Sequence, residues 1–144
     1  SASKGNGTTL NGQPIHVSTT PELGQSLVAS GFPYDKWTSE ENNGREWVAL
    51  MRQTRGIRRL GSAALDLCYV AAGRFDAYWE QKLHSWDLMA GALCVLEAGG
   101  KITDYEGVNA TQAFRSGRLV ATNGRVHDAL LQALQTARAA MPLT

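Results

Sequence analysis

Between residues 57 and 122 the chain alternates short β-type runs with apolar patterns of helical period, and a glycine or small polar residue marks most changes. This alternation constrains the fold most, because strand–helix–strand order favours a sheet with helices packed on its faces. Residues 57–60 are predicted as a strand stopped by Gly61. Ser62 can then cap a helix running to Ala72, with Gly73 as its stop and Ala64, Leu65, Leu67, Cys68 and Ala71 as its core face. Residues 75–80 alternate as a strand, Ser85 offers the next N-cap, and residues 86–98 form a helix apolar nearly all round, closed by Gly99 and Gly100. Such a helix is expected to be buried on most sides. Strands at 101–105 and 119–122 follow, then a helix over 126–140 with Leu130, Leu131 and Leu134 facing inward.

The first part of the chain is less regular. Residues 1–12 are rich in Gly, Ser, Thr and Asn, and Asn11-Gly12 is a hairpin-turn dipeptide ahead of Ile15, His16 and Val17. A hairpin arm is predicted there, entered midway, as though a partner segment preceded it. Residues 26–30 read as a short buried strand stopped by Gly31-Phe32-Pro33-Tyr34, residues 40–43 as a polar loop, and 46–54 as a helix carrying Trp47, Val48, Leu50 and Met51. The fold class is therefore α/β, a mixed and mostly parallel sheet flanked by helices, in one domain spanning 1–144.

Charge narrows the range of partners. With 14 Lys and Arg against 13 Asp and Glu, the net charge of +1 supplies no field that would gather nucleic acid or an anionic membrane. A small molecule fits better, and without a signal-peptide core or an apolar run of membrane-spanning length the expected location is the cytoplasm. Cys68 and Cys94 lie in apolar helical patterns without metal-type spacing, so reduced core thiols are expected rather than a disulfide.

Two carboxylates stand at element ends, where side chains can share a crevice at a sheet edge. Glu80 closes a strand, and Asp87 lies in the first turn of an otherwise apolar helix. Asp87 reads either as a helix-dipole carboxylate or as an oxygen ligand for a hard divalent cation. Gly61-Ser62-Ala63 reads either as an ordinary cap or as a place where a ligand meets exposed backbone N–H groups. His84, His16 and His127 read as polar surface residues, since no nucleophile with an orienting partner surrounds them. Arg58 and Arg59 read as phosphate or subunit contacts, or as solvated residues of a strand edge.

The run Arg59-Leu-Gly-Ser-Ala-Ala-Leu-Asp-Leu-Cys68, then Ala71-Ala-Gly-Arg74, Tyr78-Trp-Glu80, Trp86-Asp87 and Glu97-Ala-Gly-Gly100, resembles the inositol monophosphatase family in order and spacing. The match reaches Gly5-Asn-Gly7, Asn11-Gly12 and Val17-Ser18 on one side, and Ala121-Thr-Asn123 and His127 on the other. The resemblance implies a layered fold shared with lithium-sensitive sugar phosphatases and hydrolysis of phosphate monoesters with magnesium ions. It implies that Asp87 is a metal ligand that also touches substrate, and that Gly61, Ser62, Ala63 and Glu80 contact polyol hydroxyls. A homodimer is implied for the complete enzyme.

The chain departs from the family in lacking the upstream Glu and the Asp-Pro-Ile/Leu-Asp-Gly-Thr motif that carry the other metal ligands, and Asp35, Asp66, Asp76, Asp104 and Asp128 match no such pattern. The expectation is a C-terminal, substrate-recognition half, inert alone, with the N-terminal metal-binding half as its partner. Fructose bisphosphatase, histidinol phosphatase and nucleotide phosphatase stand as alternatives on the same scaffold, and a non-catalytic interaction module as one of another class.

Overall fold

The structure, a computed structural model, describes residues 1–140; residues 141–144 of the expected domain lie outside the described part. The chain opens with a hairpin of β1 (Thr8–Leu10) and β2 (Gln13–Ile15), joined by Asn11 and Gly12 at φ 52° and 78°. Both residues of this two-residue turn are left-handed, which is why Asn-Gly serves there.

A five-stranded sheet follows, in the order β4 (Gly56–Arg58), β3 (Leu27–Ser30), β5 (Ala77–Glu80), β7 (Leu119–Thr122), β6 (Lys101–Thr103). β3 pairs parallel with β4 and β5, while β7 pairs antiparallel with β5 and β6. Four strands thus run one way and only β7 runs against them, so the sheet is mixed and mostly parallel. The helices are α1 (Gly44–Met51), α2 (Ala63–Ala71), α3 (Ser85–Glu97), α4 (Ala110–Ser116) and α5 (His127–Ala139).

Strand alternation sorts the core into two layers. Ala29, Tyr78 and Ala121 pack with Leu67, Val70, Leu88 and Val95 under α2 and α3. Their strand neighbours Val28, Ala77, Trp79 and Val120 pack with Leu50, Leu130 and Leu134 under α1 and α5. The chain after β3 therefore leaves toward one face and the chain after β4 toward the other, which opens a crevice at the carboxyl ends of these strands.

Several expectations are corrected. The core face of α2 is rotated: Leu67, Val70 and Ala71 are buried together with Asp66, whereas Ala64 and Leu65 are exposed and Cys68 is half-buried. α3 is not buried on most sides, because Trp86, Met89 and Leu96 form an exposed stripe opposite Leu88, Ala92 and Val95. Its N-cap is His84 rather than Ser85. β6 stops at Thr103 because the Asp104 carboxylate turns the chain by accepting the Glu106 and Val108 amides. α4 was not anticipated; Asn109 caps it by accepting the Gln112 amide at 2.9 Å.

His127 is likewise no surface residue. It is fully buried, with Nε2 2.9 Å from the Thr103 hydroxyl and Nδ1 2.9 Å from that of Thr122. Thr103 donates its own proton to the Asp104 carbonyl. It must therefore accept from Nε2–H, leaving Nδ1 to accept from Thr122. Burial, then Lys101, hold the imidazole down to about 4.

Candidate active-site cleft

Three loops at the carboxyl ends of β3, β4 and β5 meet the first turns of α2 and α3 around a cleft of about 330 Å³. Gly61, Ser62, Ala63, Glu80 and Asp87 all line it. Gly61, at φ 85°, turns the chain into α2, and Ser62 caps that helix by accepting the Leu65 amide at 3.4 Å. Ser62, Ala63 and Ala64 line the cleft at this helix start, where the first backbone amides lack intrahelical carbonyl partners.

Glu80 ends β5, buried at 9% exposure, and accepts a short hydrogen bond from the Tyr78 hydroxyl two residues earlier on the same strand face. Burial pushes its carboxyl up; the Tyr78 hydrogen bond and Arg59 pull it down, and Asp87 adds to the rise. A Cβ on Gly31 would overlap this carboxylate, so the glycine after β3 is what lets the two strand ends close around it.

Asp87 sits at the third position of α3, where its Oδ2 accepts the His84 amide at 3.1 Å. The ordinary capping role is thus filled while the same carboxylate faces the cleft. His84 stacks on Trp86, ring centroids 4.3 Å apart, at the cleft's outer wall.

Sequence reasoning missed Asp66. It is 1% exposed, lines the cleft, and its Oδ1 has no hydrogen-bond partner among the described residues. Burial, reinforced by Glu80, pushes this carboxyl up to about 7. The available signal was one acid inside an apolar helix. Of the two arginines, Arg59 lines the cleft with its guanidinium 5.6 Å from the Phe32 ring, whereas Arg58 turns back to the Ile57 carbonyl.

The remaining quoted motifs hold the frame. Glu97 at the end of α3 accepts the amides of Gly5 and Gly7 at 2.9 and 3.0 Å. Asn123 donates to Ser18 Oγ and the Thr20 carbonyl, and Ser18 in turn donates to Asp76.

The family model described as the inositol monophosphatase family matches residues 1–139. The chain belongs to that family. It is 47% identical over 128 residues to the inositol-1-monophosphatase of Synechocystis, a match covering 89% of this chain and 44% of that protein. It is 43% identical over 136 residues to the Nus factor SuhB of Pseudomonas aeruginosa, covering 93% and 49%. The solved inositol monophosphatase of Anabaena (Nostoc) superposes with a TM-score of 0.90 at 47% identity, covering 94% of this chain and 53% of that one. The chain thus spans about half the length of these family members.

For a hard cation, Asp87 offers one carboxylate at the cleft rim, which fits one corner of an oxygen-ligand shell. Among the described residues, no three His, Cys, Asp or Glu side chains gather into a metal-binding group. Also among the described residues, no helix is long and apolar enough to cross a membrane.

Proposed function

We propose that this inositol monophosphatase family chain is the substrate-recognition half of a magnesium-dependent phosphatase acting on a phosphate monoester of inositol or a related sugar. One observation carries the reading: Gly61, Ser62, Ala63, Glu80 and Asp87, separated by up to 26 positions, line a single cleft at the carboxyl ends of parallel strands. Its volume of about 330 Å³ suits a small polar ligand. In this reading the α2 amides and the Glu80 carboxylate bind ring hydroxyls, Tyr78 and Gly31 fix the position of Glu80, and Asp87 is the metal ligand that also touches substrate. Magnesium would supply the charge that polarises the phosphoryl group and lowers the pKa of a water. The other ligands come from an N-terminal half of the whole protein, which acts as a cytoplasmic homodimer. The exposed stripe of Trp86, Met89 and Leu96 supports a further packing partner beside the cleft.

The test compares the 144-residue chain with the same chain joined to an upstream family half bearing the Asp-Pro-Ile/Leu-Asp-Gly-Thr motif. With magnesium and inositol monophosphate, the chain alone should release no phosphate above buffer, and the joined protein should turn over. A folded joined protein inert toward every sugar phosphate offered would overturn the reading. That result would favour a non-catalytic interaction module, which the naming of several relatives as Nus factors also supports.

A further inference from the structure

Helices α2 and α3 approach closely at Gly91, where an added Cβ would lie 2.7 Å from Leu67 Cβ and 3.3 Å from the Ala64 carbonyl oxygen. One turn onward on each helix stand the two cysteines: Cys94 follows Gly91 by three residues, and Cys68 follows Ala64 by four. Helical spacing keeps each on the face that makes the approach. The two thiols are electrostatic neighbours, the Cys94 side chain acting directly on that of Cys68. Both are free, half-buried, and line one crevice of about 170 Å³ with Thr8, Leu10, Leu65 and Tyr69. Small reagents can therefore reach them from solvent. Burial, followed by the neighbouring Cys94, pushes the Cys68 thiol up, so Cys68 rests as a thiol.

We propose that Cys68 and Cys94 are a reversible dithiol–disulfide pair that ties α2 to α3 when the oxidant is a low-molecular-weight disulfide. One Cys thiolate attacks a sulfur of the reagent, breaking its S–S bond and expelling one thiolate. The second Cys thiolate attacks the resulting mixed disulfide, forms the Sγ–Sγ bond and expels the other reagent thiolate. Two protein thiols lose two protons and two electrons, and one reagent disulfide becomes two thiols. The bond would join the two helices whose first turns carry Ser62, Ala63 and Asp87 at the cleft, about two helical turns from the cap of α2 and about three from that of α3. It depends on helix packing alone and stands apart from the phosphatase reading.

The folded 144-residue chain is incubated with hydroxyethyl disulfide at mildly alkaline pH, quenched in acid, and weighed intact and after digestion. The expected product is a monomer lighter by two hydrogens, with one peptide linking Cys68 to Cys94, restored to full mass by dithiothreitol. Cys94→Ala should instead stop at one mercaptoethanol adduct on Cys68. Should the folded wild-type chain stay unmodified, carry stable adducts on both cysteines, or form linked dimers, the proposal is overturned.

Discussion

A Cβ placed on Gly31 would overlap the carboxylate of Glu80, although the two residues belong to different strand ends. The requirement is one of space, since Gly31 itself is not left-handed. Gly31→Ala should push the Glu80 carboxylate off its Tyr78 partner and lower stability by roughly 1–3 kcal/mol, the usual scale for overpacking a buried site. Removing the obstacle should remove the cost, so Gly31→Ala introduced into a Glu80→Ala background should be nearly neutral in urea unfolding. Equal costs in both backgrounds would place the clash elsewhere.

Two buried titrating groups should bend the pH–stability curve in opposite directions. His127 is held down to about 4 from an ordinary 6.5, so between those values the unfolded chain binds more protons. Its contribution is present above 6.5 and is lost as pH falls toward 4. Asp66 is pushed up to about 7 from an ordinary 3.8, so there the folded chain holds the extra proton. Its contribution is present below 3.8 and is lost as pH rises through 7. In metal-free urea titrations, Asp66→Asn should flatten the decline between pH 4 and 7 and gain on the wild type at pH 8. His127→Gln should flatten the acid-side loss instead. Unchanged slopes in either variant would remove that residue from the account.

What the sequence made legible was local chemistry. Asn11-Gly12 implied its hairpin because two left-handed residues in succession admit few alternatives, and Ser62 implied a cap because its hydroxyl bonds an amide three residues on. The five cleft residues were nameable through the family resemblance; residue pattern alone left Asp87 as a helix-dipole carboxylate and Ser62 as an ordinary cap, and in the structure Asp87 accepts the His84 amide at the start of α3 while Ser62 caps α2. What escaped depended on partners distant in sequence. The burial of His127 rests on hydroxyls from β6 and β7, and that of Asn43 on Trp79 Nε1 at 2.7 Å, Ser30 and Gly31. The inward turn of Asp66 follows from a helix face rotated by the packing of Leu67 and Val70, which periodicity could not fix within a helix that is apolar on several sides. Short α4 offered no apolar period, only the caps Asn109 and Gly117.

Glu97 joins the end of α3 to the loop ahead of β1, and its two amide donors hold its carboxyl below the usual range. Glu97→Gln keeps the length but has a single acceptor oxygen, so the amides of Gly5 and Gly7 can no longer both be bound by a carboxylate. Hydrogen exchange should speed up at these two amides and leave the β5 and β7 ladder unchanged. Protection at Gly5 and Gly7 equal to that of the wild type would show that the hairpin holds the loop without Glu97.

Asp87 and Glu80 line the same cleft with different supports, so under the proposed function conservative changes should separate their work in the joined protein. Asp87→Asn keeps an acceptor for the His84 amide, so the start of α3 should survive, while the charge offered to a hard cation is lost. The proposed metal role then predicts a fall mainly in kcat, with more magnesium needed for half-maximal rate. Glu80→Gln keeps an oxygen for the Tyr78 hydroxyl and the length of the side chain, but weakens the acceptor that would meet a ring hydroxyl. A loss of about 1–3 kcal/mol in binding would appear mainly as a higher KM. It should vanish with a small phosphate ester that has no ring hydroxyls. The deciding measurement is kcat and KM for both variants across a magnesium titration, with the ring and ringless esters side by side. Near-normal turnover of Asp87→Asn at low magnesium would leave this carboxylate as a helix-dipole group in the first turn of α3 and nothing more.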